Sequence, residues 1–376
     1  VTLALVLAAA SLLGICCIWF GYPLVMWATA SVSRSPHQGN RALGASRSVS
    51  VILATRDRAE IIHARVANLL DTQHPTSKLE VVIAIDSEGA LCSPADLLGI
   101  GDRVRVIIGD APGGKAAALN AGVRAATGEI LVMADAQQRF DEHTIPELAG
   151  ALEDRRFAAV SGALELGRNS TRSPVDYYWM MEKWLRFNES RVHSTVGVTG
   201  AVYATRRAVW PTVPAGTLLD DVYVPMWLVL AGHRIGFTYA AKAFDVRTFN
   251  AGNETARKTR TLTGVLQLMR LLPDVMSVRR NPIMLQFVGH KLLRLLTPLL
   301  FAVFAASLCA ATIQMALHAT VFQRVIGAGL LVLMVALPPV RRRIAGMTRW
   351  LVGLQLATSR ALLNGITGRW SVWTKP

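Results

Sequence analysis

Four groups of polar residues have types and spacing suited to chemistry. In Glu129–Phe140, five apolar residues, Ile130 to Ala134, end abruptly on Asp135. A short apolar run between turn signals predicts a strand buried on both faces. Open α/β sheets bind ligands beyond the carboxyl ends of their strands, which is where Asp135 falls. Asp86 ends a second such run, Leu79–Ile85, at the same predicted edge. One carboxylate there can accept from a nucleobase or ribose, and another can hold a divalent cation on a diphosphate. Pro112-Gly113-Gly114-Lys115 follows a third run and opens a helix. Glycines let the backbone approach phosphate, and a helix N-terminus favours anions. Asp220-Asp221 opens another helix, where an acid can serve as general base towards an acceptor hydroxyl. Arg257 and Arg260 lie three apart on a predicted helix and can clamp a diphosphate from one face.

Each group also has an ordinary structural reading. A strand-end aspartate can simply be solvated, adjacent acids in a first turn cap a helix and offset its dipole, and an arginine pair can be a surface stripe. Gly109 to Ala116 nearly matches a P-loop, but Ala116 stands where the magnesium-binding hydroxyl belongs and the preceding strand is the third rather than the first. An NTPase is therefore the weaker reading of that turn.

The elements that must position these residues alternate. Strands are expected at Val49–Ala54, Leu79–Ile85, Arg103–Ile108, Glu129–Ala134 and Ala158–Gly162. Helices are expected at Arg58–Leu70, Lys115–Ala126 and Thr144–Leu152. The pattern predicts an α/β fold, a mostly parallel twisted sheet with helices on both faces. Asp176–Arg191 mixes aromatic and charged residues, as an interfacial or domain-packed helix would. Thr199-Gly200-Ala201 leads into a strand at Val202–Thr205. Leu218–Leu230 is helical, strands follow near Arg234–Tyr239 and Phe244–Val246, and Thr255–Leu271 is a basic amphipathic helix.

The net charge of +15 does not indicate a nucleic-acid groove. No acidic residue precedes Asp57 or follows Asp274. Those flanks carry 4 and 12 Lys/Arg, whereas the interval between holds 24 Lys/Arg against all 25 Asp/Glu. The basic excess belongs to the apolar ends, the pattern of membrane anchoring. Leu3–Ala30 is long enough to cross a bilayer and reads as a retained span rather than a cleaved signal. Domains are expected as a transmembrane helix at 1–30, a linker at 31–48, a cytosolic catalytic domain at 49–275, an interfacial helix at 276–291, two transmembrane helices within 292–340 and a basic interfacial segment at 341–376. Cys16, Cys17 and Cys309 fall in apolar spans and Cys92 in a loop, with no spacing of a metal cluster or disulfide framework.

Taken in order, several segments resemble the membrane-bound family-2 glycosyltransferases, of the cellulose synthase and poly-N-acetylglucosamine synthase type. They are Val-Ser-Val-Ile-Leu-Ala-Thr (49–55), Gly-Gly-Lys-Ala-Ala-Ala-Leu-Asn (113–120), Thr-Gly-Glu-Ile-Leu-Val-Met-Ala-Asp-Ala (127–136), Ala-Val-Ser-Gly (159–162), Thr-Gly-Ala-Val-Tyr-Ala (199–204), Leu-Leu-Asp-Asp-Val (218–222) and His-Lys-Leu-Leu-Arg (290–294). The resemblance implies a nucleotide-sugar-binding, GT-A-like fold with flanking transmembrane helices. It implies inverting transfer from a nucleoside diphosphate sugar, a UDP-sugar before a GDP-sugar, to a lipid or saccharide acceptor, with Mg²⁺ or Mn²⁺. Asp221 would be the base with Asp220 beside it. Thr55, Asp86, Gly114, Lys115, Asp135, Arg257 and Arg260 would bind the donor, Asp135 and Gln137 the metal, and Thr199 and Gly200 the acceptor. A bacterial inner-membrane protein with a cytosolic catalytic domain follows, with no nucleic-acid partner. Three departures stand out: Gln137 replaces the second acid of the family's Asp-x-Asp, Thr261 replaces the tryptophan of its final signature, and Asp57-Arg58 replaces its Asn-Glu pair. Thr261 tilts the reading from processive polymer synthesis towards limited transfer. Gln137 keeps open a catalytically silent nucleotide-sugar-binding protein.

Overall fold

The structure, a computed structural model, describes residues 2–33, 39–167, 174–245, 251–320, 323 and 338–370. In chain order these form α1 (Thr2–Val32), β1 (Val49–Thr55), α2 (Ala59–Leu70), β2 (Leu79–Ile85), β3 (Val104–Ile108), α3 (Lys115–Ala125), β4 (Ile130–Ala134), β5 (Gln138–Phe140) and α4 (Thr144–Ala151). They continue as β6 (Phe157–Leu166), α5 (Pro174–Val192), β7 (Val202–Arg206), α6 (Asp220–Leu230), β8 (Arg234–Asp245), α7 (Ala251–Leu271), α8 (Met284–His318) and α9 (Pro338–Thr367). They pack as two units. One is a sheet unit, Val25–Phe249 with Gln267–Phe287. The other is a helical unit, Val1–Leu24, Asn250–Leu266 and Val288–Pro376.

The sheet unit has eight strands in the order β3-β2-β1-β4-β7-β6-β8-β5. β3, β2, β1 and β4 pair in parallel, β7 runs antiparallel between β4 and β6, and β5 runs antiparallel on β8. The expected mostly parallel sheet is present, with β7 and β5 as the reversed members. All five residues of β4 are buried, as an apolar run without alternation requires. Helix α3 lies close on the sheet because its inner face is small: Ala116, Ala117, Ala118 and Ala121 are buried, and a Cβ on Gly122 would stand 2.8 Å from Ile52. The two strands expected near 234–239 and 244–246 are one strand, β8, which shifts register opposite Ser161 and Ala163. That irregularity interrupts the alternation from which a single strand would be read; Val246 lies outside the described residues. Within the stretch read as a linker, Arg41–Gly44 forms one helical turn capped by Asn40. A Cβ on Gly44 would stand 2.2 Å from the backbone of Gly150, so this turn packs glycine on glycine.

In the helical unit, α1 and α8 are long and apolar enough to cross a membrane. They lean together where Arg294 lies 4.8 Å from the Trp19 ring. There Tyr22 also meets Gly289, where any Cβ would come within 2.4 Å of the ring. Leu3, Leu13, Phe20, Leu299 and Leu317 are exposed on them. On α9, Asn364 donates to Thr263 at 3.3 Å and Gly365 packs on Leu266. The second of the two spans expected within 292–340 falls mostly outside the described residues.

Two histidines of the sheet unit have pKa values lowered by burial. His74 is buried with Nε2 3.0 Å from the Arg47 carbonyl, and burial holds its pKa below the ordinary 6.5. His193 is lowered by burial and then by Arg234. A depressed pKa means the unfolded chain binds protons first. The stability these residues contribute is full above their ordinary range and falls as pH drops from there through the folded values. Melting temperature should decline below about pH 6.5, and His74→Gln should flatten that decline; an unchanged slope would remove His74 as its source.

Candidate active site

The acids and glycines singled out by spacing meet at the carboxyl edge of the parallel strands. Asp86, just past β2, has a buried side chain, 3% exposed. One oxygen accepts from the Gly114 amide at 2.8 Å and the Glu88 amide at 3.0 Å; the other accepts from Arg56 Nε at 2.6 Å. The carboxylate expected to contact the nucleotide is thus first of all the anchor of the glycine turn. Gly113 must be glycine there: its φ is +86°, and a Cβ would stand 2.9 Å from Glu88 and 3.0 Å from the Asp86 oxygen.

Lys115, the first residue of α3, extends from that turn into a cluster of carboxylates. Its Nζ lies 3.2 Å from Asp135 and 3.5 Å from Asp220. Burial alone would lower its pKa, but the combined attraction of Asp135, Asp220 and Asp221 outweighs it and holds the ammonium charged well above the usual lysine range. Asp220 and Asp221 open α6, and the loop before them is braced by Gln267, which accepts from the Leu218 amide at 2.9 Å and donates to the Gly216 carbonyl at 3.0 Å.

Thr199 and Gly200 border Asp221. The Val198 amide donates to the Asp221 carbonyl at 2.9 Å, and a Cβ on Gly200 would stand 3.3 Å from the Asp221 Cβ. Thr199 is fixed from two sides, its amide donating to Ser161 Oγ and its hydroxyl accepting from Arg186, both at 2.9 Å. Tyr203 on β7 is fully buried. Burial, then Asp220, Asp221 and Asp135, hold its phenol neutral, far above its ordinary pKa. This arrangement offers a carboxylate, Asp221, beside the Thr199–Gly200 turn and an ammonium beside two further carboxylates, groups able to take a proton and to stabilise an anion.

Thr55 shapes the turn after β1: its hydroxyl accepts from the Asp57 amide at 3.0 Å and donates to the Asp57 carboxylate at 3.1 Å. Gln137 donates its amide nitrogen to Asp57 at 2.8 Å, so its amide oxygen is the atom left for a cation. Among the described residues, no three or more His, Cys, Asp or Glu side chains converge on a metal position. The donor set expected from the sequence would be one carboxylate, Asp135, whose side chain is 37% exposed, and the amide oxygen of Gln137. That set fits a hard cation completed by phosphate oxygens, and not a cage closed by protein. Arg257 and Arg260 stand on α7 in the stretch belonging to the helical unit.

Spacing did not bring forward Arg56, which pairs with Asp86, or Arg186, which binds Thr199. It also passed over Arg65, whose signal was available: with Ile62, Val66 and Leu69 it occupies the buried face of α2, where a charge is out of place.

The Asp57–Gln137 pair generates a test. Gln137→Asp would set a second carboxylate against Asp57, so the single variant should lose stability through like-charge repulsion, and Asp57→Asn in the same chain should restore it. A double-mutant cycle on melting should give a coupling of roughly 0.5–3 kcal/mol. Additive effects would show that the two side chains act independently.

Residues 50–209 match the family model described as glycosyl transferase family 2. No curated protein sequence matches the chain. Among solved structures, the mannosyltransferase PcManGT from Pyrobaculum calidifontis, in complex with GDP-Man and Mn²⁺, is similar in fold. Its TM-score is 0.66 at 21% identity, covering 96% of this chain and 99% of that one. The matched segment holds the glycine turn, Lys115, Asp86, Asp135 and the Thr199–Gly200 turn, so these residues lie within the stretch that is similar to glycosyl transferase family 2.

Proposed function

We propose that the protein is an inverting glycosyltransferase that moves a sugar from a nucleoside diphosphate sugar to a lipid or saccharide acceptor at the cytosolic face of a bacterial inner membrane. The observation that carries this reading is the Lys115 ammonium set between Asp135 and Asp220, with Asp221 beside the Thr199–Gly200 turn. Asp221 takes the proton from the acceptor hydroxyl. The freed oxygen attacks the anomeric carbon on the face opposite the diphosphate, and the anomeric configuration inverts. Asp220 holds Lys115 in place, and the ammonium faces the negative charge that develops on the departing diphosphate. Arg257 and Arg260 are assigned to the same diphosphate. Mg²⁺ or Mn²⁺, held by Asp135 and the Gln137 amide oxygen together with the donor, would supply further charge neutralisation there. Thr55, Asp86 and Gly114 shape the nucleotide side of the site, and Thr199 and Gly200 the acceptor side.

Membrane attachment is supported by the length and apolarity of α1 and α8 and by their exposed leucines. The amphipathic α9 is assigned to the interface. The leaning towards uridine in the donor has no support: the similar Pyrobaculum protein holds GDP-Man, so guanosine donors stand equally. A processive synthase is the second reading; Thr261, in place of an aromatic platform, weighs against it. A silent nucleotide-sugar-binding protein is the third, prompted by Gln137.

Release of nucleoside diphosphate from a panel of UDP- and GDP-sugars, with the protein in lipid and Mn²⁺ or Mg²⁺ present, tests the reading. Asp221→Asn should lower release by about 10²–10⁴-fold, the usual worth of a general base, while donor binding is kept. Equal turnover in the variant would remove Asp221 as the base. Binding of donor without release across lipid and saccharide acceptors would favour the silent protein.

A further inference from the structure

The segment that carries Asp135 is tied to helix α2 by side chains that the proposed reaction does not use. Arg65 is fully buried. Its Nε donates to the Asp135 backbone carbonyl at 3.0 Å, its Nη1 donates to the Asn68 side-chain oxygen, and its guanidinium stands 4.2 Å from the centre of the Phe140 ring. Asn68, one helical turn further on, accepts from the Phe140 amide and donates to the Phe140 carbonyl, both at 2.9 Å. Arg139 adds a bond to the Ala64 carbonyl, and Gln137 is held through Asp57. Residues 135–140 are therefore gripped at both ends by α2 while β5 pairs with β8 on the other side.

A fully buried guanidinium is a costly way to fill a core. Burial pushes it down to about 9, with Arg139 adding to the effect and Asp135 opposing it, and among the described residues its Nη2 meets no hydrogen-bond partner. Packing alone would be served as well by an apolar side chain. What an apolar side chain does not supply is a fixed donor to the carbonyl of Asp135, the residue whose carboxylate meets Lys115. We infer that Arg65, supported by Asn68, is a positioning residue for the donor-binding turn Asp135–Gln137, holding the backbone so that the Asp135 carboxylate faces the Lys115 ammonium. The inference rests on the reading above that this carboxylate works on the donor's diphosphate. By it, the turn after β1 and the turn after β4 move as one body through α2.

The test uses the full chain in lipid with Arg65→Met, Arg65→Lys and Asn68→Ala, read by melting temperature, backbone hydrogen exchange and the donor dependence of nucleoside diphosphate release. Arg65→Met should keep the melting temperature near wild type but lose exchange protection at 135–140, while the rest of α2 keeps its own. The donor KM should rise about 10–100-fold, as when a supporting side chain behind a binding group is lost, with a smaller change in kcat. Arg65→Lys should recover part of this only, because an ammonium lacks the fork that reaches Asp135 and Asn68 together. Unchanged protection or unchanged KM in a folded variant overturns the inference. So does a uniform loss of activity in step with melting, which would make Arg65 a packing residue. Should Arg65→Met not fold, Asn68→Ala removes the two Phe140 bonds and the acceptor of Arg65 Nη1 while leaving the Arg65 bond to the Asp135 carbonyl, and is read in the same two ways. If the wild-type protein releases nucleoside diphosphate from no donor, the functional reading fails by itself. The exchange data then still decide the grip: lost protection supports it and retained protection removes it.

Discussion

Three carboxylates at one sheet edge repel one another, and the structure depends on the cation placed among them. Asp135, Asp220 and Asp221 reach this edge from β4 and α6, and the Lys115 ammonium touches the first two. Without it, like charges at one edge would push one another apart. With it, attraction to a shared ammonium holds the carboxylates together. The site therefore has a resident positive charge before any ligand arrives, on the side where the proposed diphosphate leaves.

That ammonium is aimed by a second polar knot. Asp86 binds Arg56 from the end of β1, Glu88 from its own loop and Gly114 from the turn that opens α3. The glycine turn is thus set by hydrogen bonds to a buried carboxylate as well as by its own torsions, and Lys115 inherits its position. Arg65 and Asn68 do the equivalent for the turn after β4. The two loops that flank the cluster are held by charged groups behind them rather than by hydrophobic packing, and this gives them defined positions at a solvent-facing edge.

The helical unit obeys a different constraint. Its helices α1 and α8 expose leucine and phenylalanine over much of their length and meet where Gly289 packs under Tyr22 and Arg294 stands over Trp19. Such a surface is stable in an apolar solvent and costly in water, which is the physical basis for proposing a membrane around it.

The sequence by itself determined the strands of the parallel half and the acids that end them, because an uninterrupted apolar run buried on both faces is a local property and a polar residue closing it must fall at the sheet edge. It also determined the glycine turn before Lys115 and the acid pair at the start of α6, each legible within a few residues. The tertiary structure alone decided that Lys115 lies between Asp135 and Asp220, that Asp86 is spent largely on holding a turn, and that Gln137 is bonded to Asp57. It also decided that β5 and β7 run against the other strands and that β8 continues through its irregularity as one strand. These are distances between residues far apart in the chain, set by strand order and by loops whose polar contacts leave no periodic trace. Arg65 lies between the two cases. Its place on an apolar face was visible in the sequence, but the carbonyl it binds became known only when α2 was laid against the end of β4.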